Sequence, residues 1–249
     1  MMTVSSPPIE NVSFGQAVAV AFSAVVTLYN EEKNVEPLTR NLVAEFRRDF
    51  GEGGFELVLV LNGPLDRTPQ LARQLALEFP EITLVSMAAN QGYGGGLLAG
   101  LSVARGPVVG VLDGDEQVDS RDVARVFQSA LSEPCDLVKA CRTVRQDGWR
   151  RIVVTTVYNA LFRLLFGAVS TDVNGKPKVL RREALQRLDP TARDWFIDAE
   201  IMIRASRLGF SVREIPVAFR ARRAGASNVR VSTILEFLGN MWKFRHGRS

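Results

Sequence analysis

The first half of the chain alternates apolar runs with amphipathic segments, and this alternation restricts its fold more than any other feature. Four apolar runs occupy residues 18–28, 55–61, 82–87 and 107–112. Between them, apolar side chains recur at helical spacing, as with Leu71, Leu75 and Phe79. Strands that alternate with helices are typical of a doubly wound, mostly parallel sheet with helices on both faces. We therefore predict an α/β fold.

Polar side chains follow each of these four runs at the same end. They lie in residues 29–31, 62–66, 90–94 and 113–117. In sheets of this kind, ligands bind outside the carboxyl ends of the strands. The sequence therefore predicts one binding site along this edge of the sheet.

The fourth run continues directly into Asp113-Gly114-Asp115-Glu116-Gln117. Asp113, Asp115 and Gln117 alternate, so an extended or turning backbone can point all three to one side. Oxygen ligands of this kind suit Mg²⁺ or Mn²⁺, and such a cation suits a diphosphate. The plainer interpretation is a solvated strand-to-turn junction, because Asp and Gly readily form turns.

Composition narrows the chemistry. His246 is the single histidine, so the sequence argues against histidine triads and histidine metal sites, and acid–base chemistry is expected to fall to carboxylates. Cys135 and Cys141 have no partners for a zinc site or a disulfide framework. The net charge is +4, and residues 201–249 contain ten Lys and Arg but two acids. This basic end suggests an anionic partner (phosphates, a membrane surface or nucleic acid) or a solubilising face.

Membrane-spanning segments are not expected from the sequence. No apolar run reaches roughly 18 residues, and the run at 17–28 has no basic flank, so it resembles neither an anchor nor a secretion signal. We expect a cytoplasmic protein. Residues 149–168 and 231–244 predict apolar, Arg-flanked helices that either pack in the core or lie on the cytoplasmic face of a bilayer.

Several motifs occur in a characteristic order. They are Val25-Val26-Thr27-Leu28-Tyr29-Asn30-Glu31-Glu32, Asn90-Gln91-Gly92-Tyr93-Gly94, Asp113-Gly114-Asp115-Glu116-Gln117, the segment from Trp195 to Glu200, Glu214-Ile215-Pro216-Val217 and Arg222-x-x-Gly225-x-Ser227. In this order and spacing they resemble family 2 glycosyltransferases of the nucleotide-sugar-binding A-type fold, and among them the polyprenyl-phosphate sugar transferases. The resemblance covers about residues 22–228.

The resemblance implies inverting, Mg²⁺- or Mn²⁺-dependent transfer of a sugar from a GDP- or UDP-sugar to a polyprenyl phosphate. It implies nucleotide contacts by Leu28, Tyr29, Glu31, Asn62, Asn90 and Asp113. The implied metal ligands are Asp113, Asp115 and Gln117. Phosphate or acceptor contacts fall to Arg142, Arg151, Arg222 and Ser227, and catalytic roles to Asp198 and Glu200.

The sequence predicts one domain with a C-terminal extension, because the chain shows neither internal repeats nor a second type of composition. Residues 1–14 form a flexible arm, and residues 15–228 form one glycosyltransferase domain, with a donor-binding half at 15–119 and an acceptor-side half at 120–228. Residues 229–249 form a basic amphipathic helix. Peripheral membrane contact and a homo-oligomer are both compatible with this organisation.

Departures from the family pattern leave the acceptor open. Asn62 stands where the family usually has Asp, Glu116 where an apolar residue is usual, and Asn228 where Lys is usual. Residues 172–178 depart from a Ser-Gly-Phe-Arg type of segment. A sugar hydroxyl in glycan or polysaccharide synthesis is the alternative acceptor, and Asp198 would then take its proton.

Three other classes of protein compete with this interpretation. Gly94-x-Gly96-x-x-Ala99, with Asp113 19 residues after Gly94, imitates a dinucleotide-binding oxidoreductase, but residues 88–92 separate these glycines from the preceding strand. A non-catalytic nucleotide-sugar-binding protein is the second class. Nucleic-acid binding is the third, and we expect none, because the aromatic residues of the basic end have the spacing of a packed or membrane-facing helix.

Overall fold

A computed structural model describes residues 10–13, 19–145 and 170–220, together with Thr156, Ala160, Phe162, Leu164 and Phe166. These residues confirm the α/β fold, with a mostly parallel sheet between two layers of helices. The helix predicted at 149–168 falls outside the described residues except for those five positions. The C-terminal helix predicted at 229–249 lies entirely outside them.

The strands of the described residues are β1 Glu10–Ser13, β2 Phe22–Leu28, β3 Phe55–Asn62, β4 Ile82–Met87, β5 Val108–Asp113, β6 Leu137–Arg145, β7 Lys178–Arg181 and β8 Val212–Phe219. The helices are α1 Val35–Phe50, α2 Thr68–Glu78, α3 Gly92–Val103, α4 Ser120–Ser132, α5 Arg182–Leu188 and α6 Ile197–Arg207.

The strands form one sheet in the order β1-β4-β3-β2-β5-β7-β6-β8. The four strands predicted from the apolar runs lie side by side as β4-β3-β2-β5, and every neighbouring pair among them is parallel. Strands β1 and β7 are antiparallel to their neighbours. The carboxyl ends of β4, β3, β2 and β5 therefore meet along one edge, as predicted.

Both faces of the central strands are buried. Every residue of β3 is buried, so its sequence is a nearly continuous apolar run rather than an alternating one. On the face covered by α1, α2 and α4, Phe22 packs against Phe46, with ring centroids 5.1 Å apart, and against Phe127 at 4.6 Å. Helices α3, α5 and α6 cover the other face.

Three elements differ from the sequence-based expectation. Glu10–Ser13 pair with β4 as an edge strand, so this part of the expected flexible arm belongs to the sheet. Helix α3 begins at Gly92 instead of after a glycine-rich turn. Residues 178–181, expected to lead into a helix, form β7 between β5 and β6, because apolar side chains there complete the gap in the sheet.

Candidate active site

The turn after β5 is pressed closely against β2. At Gly114, an added Cβ would lie 2.7 Å from Leu28 Cδ2 and 2.8 Å from the Thr27 carbonyl oxygen, so no larger residue fits. Glu116 adopts a left-handed conformation with φ of 55°. This turn places Asp113, Asp115 and the following residues in a cleft. The cleft is lined by Leu38, Leu112, Asp113, Asp115, Glu116, Gln117, Val118, Val123, Arg142, Asn174, Lys176, Pro177 and Phe219.

Asp113 is held by a lysine and a tyrosine. The Lys176 ammonium lies 2.7 Å from Asp113 Oδ1, and the Tyr93 hydroxyl donates to the same oxygen at 3.2 Å. The ammonium also lies over the Tyr93 ring, 4.2 Å from its centroid. Burial, opposed in part by Lys176, raises the pKa of Tyr93 well above its ordinary value, so the phenol keeps the proton that it donates.

Asp198 lies at the start of α6 and binds two lysines. Lys176 Nζ is 3.0 Å from Asp198 Oδ2, and Lys178 Nζ forms an ion pair with Oδ1. Burial alone would raise the pKa of Asp198, but the two ammonium groups outweigh it and the pKa is lowered. Asp198 is 3% exposed, so the carboxylate is enclosed as well as ionised.

The pKa values of the two lysines are shifted in opposite directions. Burial would lower the pKa of Lys176, but Asp113 and Asp198 outweigh it, and the pKa is raised well above its ordinary value. Burial, together with repulsion from Lys176 and Lys139, lowers the pKa of Lys178 to about 8, although Asp198 acts in the opposite direction. Lys176 thus stays charged between two carboxylates, one on β5 and one on α6.

Sequence reasoning missed both lysines. They lie in residues 172–178, which the motif comparison marked as a departure from the family pattern. A signal was present: Lys178 directly precedes an apolar pair in a strand-like run, and a lysine buried there must be paired. The partner could not be named, because Asp113 is 63 residues from Lys176 in the chain.

Arg142 is fixed by a buried carboxylate. Its guanidinium binds Asp172 through two contacts, Nε to Oδ2 at 2.7 Å and Nη2 to Oδ1 at 2.6 Å. The same group lies over the Phe219 ring, 5.0 Å from the centroid. Burial would raise the pKa of Asp172, but the bonds from Arg142 lower it to about 2. Arg142 lines the cleft in a rigid position.

Glu200 contacts a backbone turn rather than the cleft. Its carboxylate accepts hydrogen bonds from the backbone N–H of Thr191 at 3.0 Å and of Ala192 at 2.7 Å, and forms an ion pair with Arg204. The turn leads to Trp195, whose ring stacks on Tyr93 with centroids 4.7 Å apart. These contacts are those of a residue that positions the turn and, through it, Tyr93.

The same turn closes the glycine-rich start of α3. The Arg193 carbonyl oxygen accepts from the backbone N–H of Gly95 at 3.0 Å. A Cβ at Gly94 would lie 2.2 Å from the Ala192 carbonyl oxygen. A dinucleotide fingerprint needs this helix end free for a pyrophosphate. Here protein carbonyls occupy it, which argues against the oxidoreductase interpretation.

The residues predicted to contact the nucleotide lie along the expected edge. Asn62 is buried and bridges two turns, donating to the Gly92 carbonyl oxygen at 2.8 Å and accepting from the Gln91 backbone N–H at 3.0 Å. Asn90 lies 3.4 Å from the Asn62 amide. Glu31 accepts from Asn34 at the start of α1. Leu28 is buried under Gly114, and the adjacent Tyr29 is partly exposed.

The predicted metal ligands fit a hard cation that a diphosphate also binds. Both contacts to Asp113 fall on Oδ1, and 38% of this side chain is exposed, so the carboxylate keeps an accessible oxygen. Asp115 lines the same cleft. The Gln117 amide nitrogen donates to the Arg220 carbonyl at 2.9 Å, which fixes its orientation. No three His, Cys, Asp or Glu side chains cluster among the residues described.

The remaining predicted phosphate contacts cannot be placed. Arg151, Arg222 and Ser227 lie outside the described residues.

A model of glycosyl transferase family 2 matches residues 23–189 of the chain. The chain belongs to this family. It is therefore an enzyme of the glycosyltransferase class. The matched span contains most of β2, all of β3 to β5, both lysines, and every residue that lines the cleft except Phe219.

The curated proteins similar to this chain include a synthase that is named for a polyprenol monophosphate. The chain is 30% identical over 224 residues to the polyprenol monophosphomannose synthase of Mycolicibacterium smegmatis, covering 85% of this chain and 82% of that one. It is 29% identical over 229 residues to the glycosyltransferase AglD of Haloferax volcanii, covering 90% of this chain. The chain spans 36% of the length of AglD.

Solved structures of glycosyltransferases share the fold. Glucosyl-3-phosphoglycerate synthase from Mycobacterium tuberculosis, in complex with Mn²⁺, UDP and phosphoglyceric acid, matches with a TM-score of 0.71 at 21% identity, covering 92% of this chain and 80% of that one. The mannosyltransferase PcManGT from Pyrobaculum calidifontis, in complex with GDP-Man and Mn²⁺, matches with a TM-score of 0.62 at 23% identity, covering 84% and 59%. None of the helices described in this glycosyltransferase is long and apolar enough to cross a membrane.

Proposed function

We propose that this glycosyltransferase transfers a sugar from a nucleoside diphosphate sugar to a polyprenyl phosphate, with inversion at the anomeric carbon and with Mg²⁺ or Mn²⁺ at the diphosphate. The similarity to polyprenol monophosphomannose synthase supports this acceptor, since it extends over most of both chains. The carboxylates in the cleft at the end of β5 support a nucleoside diphosphate donor, because they would bind the divalent cation at its diphosphate.

The state of Asp198 is the observation that carries the choice of acceptor. A hydroxyl acceptor must lose a proton to a base during transfer. Asp198 is a poor base, because both its oxygens bind ammonium groups and its pKa is lowered. A phosphate acceptor is already ionised and requires no base, so this geometry favours a lipid phosphate.

The reaction balances without a proton transfer. An oxygen of the acceptor phosphate forms a bond to the anomeric carbon from the face opposite the leaving group. The bond from that carbon to the diphosphate oxygen breaks, and its electron pair leaves with the nucleoside diphosphate. Attack from the opposite face inverts the anomeric centre.

The charged side chains of the cleft would bind the charged groups that take part in this reaction. Asp113 and Asp115, with Gln117, would hold the divalent cation, which would offset the charge that develops on the leaving diphosphate. Arg142, held rigidly by Asp172, would bind phosphate oxygens through its planar fork. Arg151, Arg222 and Ser227 remain proposed contacts on the acceptor side. Asp198 would hold the lysines, and Glu200 would position the turn before α6.

The nucleotide pocket is proposed along the edge formed by Leu28, Tyr29, Glu31, Asn62 and Asn90. UDP and GDP-Man occupy the two solved glycosyltransferases that share this fold. Sugars linked to UDP and to GDP are therefore both to be tested as donors.

The deciding experiment is a transfer assay with purified protein. GDP- and UDP-sugars are supplied with Mn²⁺, Mg²⁺ or EDTA, and the acceptor is either a polyprenyl phosphate or the matching polyprenol. We expect a sugar-lipid product with the phosphate acceptor only, and its loss with EDTA. Product from the polyprenol or from a free sugar acceptor would overturn the lipid-phosphate assignment. Donor binding without product from any acceptor would favour a non-catalytic binding protein.

A further inference from the structure

Lys176 binds the carboxylate that the proposed function assigns to the divalent cation. Its ammonium is 2.7 Å from Asp113 Oδ1 and 7% of its side chain is exposed. A second carboxylate, Asp198, lies 3.0 Å away on the other side. The Tyr93 ring packs against the same ammonium. Lys176 is therefore a fixed positive charge in direct contact with one of the predicted metal ligands.

A cation that binds Asp113 must approach this ammonium. Two positive charges within a few ångströms repel strongly in a partly buried site. The charges of Asp113 and Asp198 are also balanced already, since Lys176 and Lys178 supply two positive charges against two negative ones. A divalent cation alone thus gains less from Asp113 than an unpaired carboxylate would offer.

We propose that Lys176 is an internal competitor for the cation, so that this glycosyltransferase takes up Mg²⁺ or Mn²⁺ together with the donor diphosphate rather than before it. The inference rests on the proposed function, because it needs Asp113 to be a metal ligand. A diphosphate removes the conflict: its oxygens provide anionic partners for the cation and for the ammonium at the same time.

The test measures Mn²⁺ binding to the full chain without any donor. Mn²⁺ is titrated into the wild type and into Lys176→Gln, Lys176→Arg and Lys178→Gln, and bound ion is followed by electron paramagnetic resonance. We expect Lys176→Gln to bind Mn²⁺ at least about tenfold more tightly than the wild type, because it removes a repelling charge. Lys176→Arg keeps that charge and is expected to remain weak.

Lys178→Gln is the matched control. It removes the same charge from the same cluster, but Lys178 pairs with Asp198, whereas the ion pair with Asp113 is made by Lys176. A gain for Lys176→Gln that clearly exceeds the gain for Lys178→Gln supports direct competition at Asp113. Equal gains, or no gain for Lys176→Gln, would overturn the inference.

A second measurement decides the question if the glutamine variants do not fold. The wild type is titrated with Mn²⁺ alone and with saturating GDP or UDP. We expect at least about tenfold tighter Mn²⁺ binding in the presence of the nucleotide. Equal affinity with and without nucleotide would contradict the inference, while Mn²⁺-dependent transfer to the lipid phosphate would still stand. Absence of nucleotide and metal binding under all conditions would instead overturn the proposed function.

Discussion

Three lysines in the second half of the chain are buried together with carboxylates. Lys139, Lys176 and Lys178 are almost fully enclosed, and each ends on a carboxylate: Glu214 for Lys139, and Asp198 for the other two. Removing one member of such a pair leaves an uncompensated buried charge, which costs about 3–5 kcal/mol. Single substitutions here therefore change stability as well as chemistry, and their tests need folded controls.

Asp115→Asn tests the contribution of one proposed metal ligand. We expect transfer activity to fall by at least about a hundredfold, because a charged ligand and part of the stabilisation of the leaving diphosphate are lost. Thermal stabilisation by a nucleoside diphosphate with Mn²⁺ should shrink in parallel. Asp122→Asn on α4 makes the same chemical change at an ion pair with Arg125, outside the cleft lining, and should leave both readouts unchanged.

Asp172→Asn tests the carboxylate that fixes Arg142. The pKa of Asp172 is lowered from 3.8 to about 2 in the folded state, so its stabilising effect is present above about pH 4 and disappears as the pH falls through about 2. At pH 7 the free energy of unfolding of the variant should be lower by about 2 kcal/mol. Urea unfolding of both proteins from pH 7 to pH 2 measures this difference.

The difference between the two proteins should close between about pH 4 and pH 2. Asp49→Asn, which breaks a contact with Arg48 on the surface of α1, should change stability by at most about 0.5 kcal/mol. A difference for Asp172→Asn that stays constant down to pH 2 would show that its ionisation does not stabilise the fold.

The sequence predicted some residues of the site and missed others. Asp113 and Asp115 could be recognised because they follow a buried strand within a local pattern. Lys176 could not, since its role depends on contacts with residues far away in the chain. Asp198 was recognised by motif, but only the structure shows that two lysines hold it.

At the scale of elements, helix α3 shows tertiary contacts overriding local preference. Four of its first five residues are glycine, which favours a turn in isolation. The turn before α6 packs onto this end of α3 with almost no space between the two backbones, so glycine is required there. With this contact the helix begins at Gly92, five residues earlier than predicted. The sequence cannot reveal this contact, because the two segments are about a hundred residues apart.

Gly94→Ala tests that contact. The added Cβ would lie 2.2 Å from the Ala192 carbonyl oxygen and 2.9 Å from Arg193 Cα, both backbone atoms that cannot rotate away. We expect a loss of about 2 kcal/mol or more in the free energy of unfolding, although alanine is the better helix former. Thermal unfolding measures the loss of stability. The tryptophan fluorescence reports any change in the packing of Trp195 against Tyr93.

Ser102→Ala is the control on the same helix. Ser102 is exposed and its hydroxyl donates to the Ala99 carbonyl oxygen in the preceding turn of the helix, so this change should be neutral or slightly stabilising. If Gly94→Ala were as stable as Ser102→Ala, the close packing of the turn on α3 would be wrong.

At the scale of the whole molecule, the uneven distribution of charge predicts binding to an anionic membrane surface. Residues 201–249 contain ten Lys and Arg but two acids. Basic residues near an anionic membrane each contribute about 1 kcal/mol. We expect the protein to float with vesicles that contain an anionic phospholipid, and to dissociate from them at high salt.

A charge-reversed pair of variants tests this expectation. Lys243→Glu with Arg245→Glu should abolish flotation, whereas Lys33→Glu with Arg73→Glu, which reverses two exposed charges in the first half of the chain, should not. Flotation that is equal in both variants, or absent from the wild type, would contradict membrane docking by the basic end.

The overall architecture was the part most accessible from the sequence. Alternating runs specify parallel strands and their covering helices, because each is set by local periodicity and by burial on both faces. Strands β1 and β7 escaped prediction: each has four residues and gains its stability from neighbours in the sheet rather than from its own pattern.

Strand β7 has a consequence for how such enzymes diverge. This four-residue strand lies between β5 and β6, contains Lys178, and is preceded directly by Lys176. The acidic residues after β5 are encoded about sixty codons earlier. Mutation in one short stretch of the gene can therefore alter the charges around Asp198 while the strand that holds the acidic residues stays unchanged. Because Lys176 contacts both Asp113 and Asp198, a mutation at this position changes the electrostatics on both sides of the cleft at once.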